Sequence, residues 1–203
     1  MSNYLKLLEG DLEQGRSAEA RERLDRVREG LDRAAAVVRR VLTFSDPARA
    51  PREDLPDIES VREAVEFLQP RFPNVEITIV TGNGRGMVRA NRVALGQLFL
   101  NILLNASEVQ EDGGKIEVDV HEYNATVMVT ISDRGPGLAE EALDHLFEPF
   151  FSTRGSRGLG LAVCHGIVQE HGGEIEARNA PDGKGAVFEV RLPKSSSSLV
   201  EES

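Results

Sequence analysis

The chain of 203 residues is 40% hydrophobic and 29% charged, with a formal net charge of -10. That composition supports one well-buried core plus a small appendage, and the acidity argues against the basic footprint that non-specific nucleic-acid binding requires. No apolar run approaches the roughly 20 residues of a membrane helix, so no membrane contact by this chain is expected, and the single cysteine, Cys164, excludes an internal disulfide.

Charge is unevenly spread. Residues 1–50 hold 10 Lys and Arg against 9 Asp and Glu, which leaves 14 against 25 in the remainder and implies two parts with different surfaces. Residues 3–13 and 18–44 read as two helices around a break at Gly15, with Ser17 as N-cap and Glu19 in the first turn. In the second, Leu24, Val27, Leu31, Ala34, Val38 and Val41 recur at steps of three and four, a narrow seam suited to another helix. An intramolecular hairpin is one outcome. Half of a dimeric four-helix bundle is favoured, because two short helices alone bury too little. A homodimer through residues 1–46 is therefore expected.

Prolines at 47, 51 and 56 mark residues 47–56 as a linker. A helix over 57–68 follows, stopped by Pro70 and Pro73, then a strand over Val75–Val80, a glycine-rich turn at Gly82, Gly84 and Gly86, and a short strand at Met87–Arg89. The helix predicted at about 92–110 is apolar almost all round and should be buried on most sides. Asn101 and Asn105 nevertheless share one face of it. They are either structural amides satisfied by neighbouring backbone or a polar stripe facing ligand, metal or water, and the stripe is favoured because a buried unpaired amide costs about 1–3 kcal/mol.

Lys115–Glu122 and Thr126–Asp133 alternate strictly and form a hairpin, with Ile116, Val118, Val120, Val127, Val129 and Ile131 facing the core. Asp133 shares the parity of the inward residues, so its carboxylate requires a donor, for which a ligand amine is one candidate. Two glycine clusters follow, separated by Phe147, Phe150 and Phe151, and the second cluster opens a helix over 159–170 that stops at Gly172-Gly173. A carboxylate at a strand end and a helix N-terminus approached through glycine suit a nucleotide. Strands at Glu174–Arg178 and Ala186–Leu192 complete the domain, and Ser195–Ser203 reads as a polar, disordered tail.

In order, Asn101-x-x-x-Asn105, Asp133-x-Gly135-x-Gly137, Phe147-x-x-Phe150-Phe151 and Gly158-x-Gly160 resemble the asparagine box, first glycine box, phenylalanine box and second glycine box of bacterial sensor histidine kinases. These belong to the ATPase superfamily of gyrase, the Hsp90 chaperones and MutL. The resemblance runs from about Leu5 to Pro193. It implies an α/β chain: an N-terminal helical hairpin (1–46, part of a dimerisation and phosphotransfer domain) followed by a two-layer α/β sandwich (57–194). In that sandwich a mixed sheet is covered by helices on one face, with the ATP site on the helical side.

The roles implied are these. Asp133 accepts from the adenine amine while Gly135 and Gly137 let the chain approach the base. Asn105 coordinates Mg²⁺ between phosphates, supported by Asn101. Gly158, Leu159 and Gly160 meet the phosphates, Phe147, Phe150 and Phe151 anchor a lid, and Arg154 and Arg157 either pair with phosphate oxygens or stay solvated.

The family's phosphoacceptor histidine has no counterpart among His121, His145, His165 and His171, and His171 is expected to be structural. A fragment cut downstream of that histidine is favoured over a degenerate kinase. Ser156, Arg157, Glu108 and Ala186 also depart from common family residues. The expected function is the ATP-binding part of a cytoplasmic kinase that relays phosphate to a response-regulator receiver domain. The rivals are a dimeric scaffold, a serine kinase of the anti-sigma-factor type, and an ATP-driven clamp.

Overall fold

The computed structural model describes residues 51–56, 58–82, 86–110, 113–123, 125–149, 151 and 159–195, all within the second of the chain's two units, Ala50–Ser203. The expected helical hairpin lies outside the described residues, as does most of the C-terminal tail.

Five strands form one sheet in the order β2-β4-β5-β7-β6: β2 Val75–Thr81, β4 Gly114–Tyr123, β5 Thr126–Ser132, β7 Ala186–Pro193 and β6 Glu174–Asn179. Only β2 and β4 run parallel. Register aligns the apolar positions of neighbouring strands: Val118 lies opposite Ile79 and Ile131, Val129 opposite Val120 and Val190, and Ile131 opposite Phe188. One face is therefore almost wholly aliphatic and buried. The opposite face carries Asp119, Thr130, Glu189 and Glu176 in a row, with Arg191 paired to Glu174, Glu176 and Glu189. Period-two alternation produces this split, because successive side chains point to opposite faces.

Helices α1 (Glu59–Leu68), α2 (Arg92–Glu108) and α4 (Gly160–Glu170) cover the aliphatic face, and a short α3 spans Glu140–Leu143. α2 is the central one. It packs against α1 on one side, α4 on the other and β4 and β5 beneath, so Leu95, Leu98, Phe99, Ile102 and Leu103 are all inaccessible. Its start is fixed by Asn91, whose Oδ1 accepts from the Val93 and Ala94 amides at 2.9 and 3.2 Å. The mixed sheet with helices on one face agrees with the expected architecture.

Two boundaries differ from expectation. Glu53–Pro56, assigned to the linker, is strand β1 of an antiparallel ribbon with β3 (Met87–Ala90), because Leu55 is buried and Pro56, which lacks an N–H, can end such a strand. Ser195, placed in the disordered tail, is buried instead: its N–H donates to the Met87 carbonyl at 2.6 Å and its hydroxyl bonds Asp54.

His171 is structural, as expected. At the C-terminal end of α4 its Nδ1 donates to the Ile167 carbonyl at 2.7 Å, and its Nε2 accepts from the Asn91 amide at 3.2 Å. The ring thus holds the end of α4 against the start of α2. Further along the same contact, Cys164 is inaccessible, with its Sγ 3.6 Å from the Leu98 carbonyl, and burial pushes its thiol up to about 12. The native thiol should therefore stay unreactive toward an aromatic disulfide reagent at about pH 8 and react with one equivalent once urea unfolds the chain, as followed by thiolate absorbance.

Candidate functional site

Asp133 lies just past β5 and is 6% exposed, pointing inward as its parity requires. Its Oδ1 accepts from the amides of Gly135 at 2.8 Å and Ala186 at 3.2 Å, while its own amide donates to the Ala186 carbonyl at 3.0 Å. The donors that burial demands are thus backbone amides of the chain itself. Among the described residues no donor meets Oδ2, so one carboxylate oxygen is fixed and the other is available.

The glycines around Asp133 are steric necessities. A Cβ on Gly135 would lie 2.6 Å from Val109 Cγ2 and 3.1 Å from Asp133 Oδ1. Gly137 has φ +80° and would meet Asn179 Oδ1 at 2.8 Å. The tightest position is Gly185, with φ +96° and a Cβ that would fall 1.9 Å from the Asp133 carbonyl oxygen. Gly185 and Asn179 carry much of this geometry. Sequence reading gave neither a role, because only a fold contact between distant segments reveals them.

Asn101 and Asn105, both half-buried on α2, differ in their side-chain partners. Asn101 accepts from Gln97 Nε2 at 2.8 Å and donates to the Gly160 carbonyl at 3.3 Å, which ties α2 to the start of α4. Asn105 makes no hydrogen bond among the described residues. Helical rise places Asn101 about 12 Å from Val109, the residue against Gly135. α2 thus spans the interval between the Asp133 carboxylate and the N-terminus of α4, with Asn105 midway.

At the α4 end, Leu159 occupies the N-cap position with φ -108° and offers no side-chain cap to the first-turn amides, where the helix carries its positive pole. Phe147 is partly buried against the core and meets the His165 ring at 5.7 Å, and Phe151 meets the His145 ring at 5.8 Å. His145 also bonds Glu148 at 2.8 Å, and that carboxylate raises its pKa. Phe150, Arg154, Arg157 and Gly158 lie outside the described residues. His121 pairs with Asp119 at 3.2 Å on the open sheet face. Among the described residues no three His, Cys, Asp or Glu side chains gather as a metal cage, and no helix is long and apolar enough to cross a membrane.

Residues 90–196 match the family described as histidine kinase-, DNA gyrase B-, and HSP90-like ATPase. The sensor protein KdpD of Clostridium acetobutylicum is 38% identical over 144 residues, 67% of this chain and 16% of that protein. Full-length ShkA, solved in complex with AMPPNP, is similar at a TM-score of 0.70 and 29% identity, over 87% of this chain and 39% of that one. Histidine kinase ThkA, solved in complex with the response regulator protein TrrA, gives a TM-score of 0.72 and 25% identity over 96% of this chain and 58% of that one. The match spans 16% to 36% of the length of the curated relatives KdpD, sporulation kinase E and ZraS.

Gly185→Ala should be among the most damaging single-methyl changes in this unit. A left-handed φ and a backbone collision together predict a loss of roughly 2–4 kcal/mol, read from the midpoint shift in urea denaturation.

Proposed function

Because the chain belongs to the histidine kinase-, DNA gyrase B-, and HSP90-like ATPase family, which matches residues 90–196, we propose that it is the ATP-binding catalytic portion of a sensor histidine kinase. The observation that carries this reading is the divided Asp133 carboxylate, with Oδ1 held by two amides and Oδ2 met by no donor among the described residues. A buried acceptor beside glycine-cleared backbone suits the exocyclic amine of adenine. The span of α2 then sets the sugar and phosphates toward Asn105 and the uncapped start of α4.

Residues for a metal fit Mg²⁺. The Asn105 carboxamide is half-buried without a protein partner among the described residues, and its neutral oxygen is the hard ligand this ion takes. Mg²⁺ usually keeps several waters and phosphate oxygens, so a site with one protein ligand is adequate. When bound, the ion neutralises phosphate charge and polarises the transferred group. Asn101 keeps the start of α4 in place through Gly160, and the amides from Leu159 onward attract phosphate oxygens. Arg154, Arg157 and Gly158 would complete the phosphate side, with Phe147, Phe150 and Phe151 anchoring the lid.

In the complete kinase the γ-phosphoryl would pass to a histidine on the helical bundle and then to a response-regulator aspartate, with residues 1–46 forming the homodimer. Such transfer rests on positioning and charge neutralisation. This chain's histidines are engaged elsewhere: His171 in packing, His145 with Glu148, His121 with Asp119 and His165 against Phe147. The chain alone therefore binds ATP without autophosphorylating on histidine, and works on the cytoplasmic side of its sensor.

Calorimetric titration with Mg·ATP tests the reading. Asp133→Asn keeps Oδ1 as acceptor but turns Oδ2 into a donor, so the fold should survive while affinity falls at least about tenfold. No wild-type binding at millimolar nucleotide, or an unchanged affinity in the variant, sinks the ATP site. Asn105→Ala addresses the metal separately. Its ATP affinity should become nearly insensitive to Mg²⁺ over a titration with and without chelator, whereas the wild type should weaken when the metal is removed.

A further inference from the structure

We infer that Asn179 is a positioning residue for the base-reading carboxylate, and that the β6–β7 connection acts as the clamp giving this site its preference for an adenine base. The inference rests on the nucleotide reading above and assigns it a residue that neither the motifs nor the family boxes contain.

Asn179 is the last residue of β6, directly opposite Ala186 in the β6–β7 register. Its carboxamide is fully used on a single backbone unit: Oδ1 accepts from the Leu138 amide at 2.7 Å, and Nδ2 donates to the Leu138 carbonyl at 2.9 Å. Leu138 directly follows Gly137, whose missing side chain leaves the space that Asn179 Oδ1 fills. Opposite it, the Ala186 amide holds Asp133 Oδ1. One strand pair therefore grips both ends of the segment 133–138, the carboxylate through Ala186 and the far end of the loop through Asn179. Between these grips lie the two glycines that open the backbone to a base.

The connection itself is built to hold that pair. Gly183 donates to the Ala180 carbonyl at 2.9 Å and Ala180 to the Gly185 carbonyl at 3.0 Å, closing residues 180–185 into a compact turn. Gly185 then brings the chain against the back of Asp133 without a Cβ.

The direction of Asp133 Oδ2 depends on this loop keeping its course. An exocyclic amine on the base donates to that oxygen, whereas guanine presents a carbonyl at the corresponding edge and leaves the carboxylate facing another acceptor. Loosening the loop at Leu138 should therefore weaken adenine binding more than guanine binding. A residue that merely stabilised the hairpin would lower the melting temperature without touching that ratio.

The test uses the full chain and compares Mg·ATP with Mg·GTP by calorimetry for the wild type, Asn179→Ala and Asn179→Asp. Asn179→Ala removes both bonds without adding a charge, whereas Asn179→Asp keeps the acceptor for the Leu138 amide but sets its second oxygen against the Leu138 carbonyl. Expected is a fall in ATP affinity of roughly tenfold for N179A and at least as large for N179D, with the ATP-to-GTP affinity ratio shrinking in both. Variants that melt earlier but keep both the ATP affinity and the ratio overturn the proposal, as do variants in which ATP and GTP weaken equally. Failure of the wild type to bind ATP at all removes the nucleotide reading itself, an outcome distinct from a wild type that binds with variants that match it.

Discussion

A carboxylate can sit in an apolar interior only if the protein meets its charge, and the site described here is arranged around that requirement. Asp133 is nearly inaccessible, yet two amides from opposite directions, one from the loop that follows it and one from the neighbouring strand, converge on a single oxygen. Charge-assisted hydrogen bonds of this kind are roughly twice as strong as neutral ones. They also leave the other oxygen in a defined direction. Gly135, Gly137 and Gly185 follow from it, because each stands where a side chain would strike the carboxylate, its backbone or the residues that hold them.

The second organising element is α2, an almost entirely buried rod with one polar row. Its apolar residues weld α1, α4 and the sheet into one core, and Asn91, held by His171, fixes where the rod begins. On that row the Asn101 side chain is committed to Gln97 and Gly160, and the Asn105 side chain has no partner among the described residues. Rigidity at one asparagine gives the other a fixed place on the helix, and in the reading proposed above such preorganisation spares rearrangement when a ligand arrives.

Most of this sheet was legible because its strands alternate strictly: the hairpin of β4 and β5, its inward set and the parity of Asp133 all follow from period two. The almost continuous apolar character of 92–108 likewise announced a central helix. What could not be read were contacts between distant segments. Gly185 against Asp133 and Asn179 against Leu138 join residues 52 and 41 positions apart, and no local pattern encodes them. The separate fates of Asn101 and Asn105 were also hidden, since both occupy one helix face and only the position of Gly160 distinguishes them. Strand β1 was missed for a simpler reason: four residues ending in proline look like a linker until their partner β3 is known.

That ribbon has a consequence for where the nucleotide-binding unit can be cut. Leu55 is buried, Arg52 donates to the Glu170 carbonyl at the end of α4, and Asp54 bonds the buried Ser195. A unit starting after Pro56 would strip β3 of the antiparallel strand that pairs with it from Met87 to Ala90, directly before the Asn91 cap of α2. The natural breakpoint is therefore upstream of Arg52, and the stretch that looks like a tether is in part the first structural element of the catalytic unit.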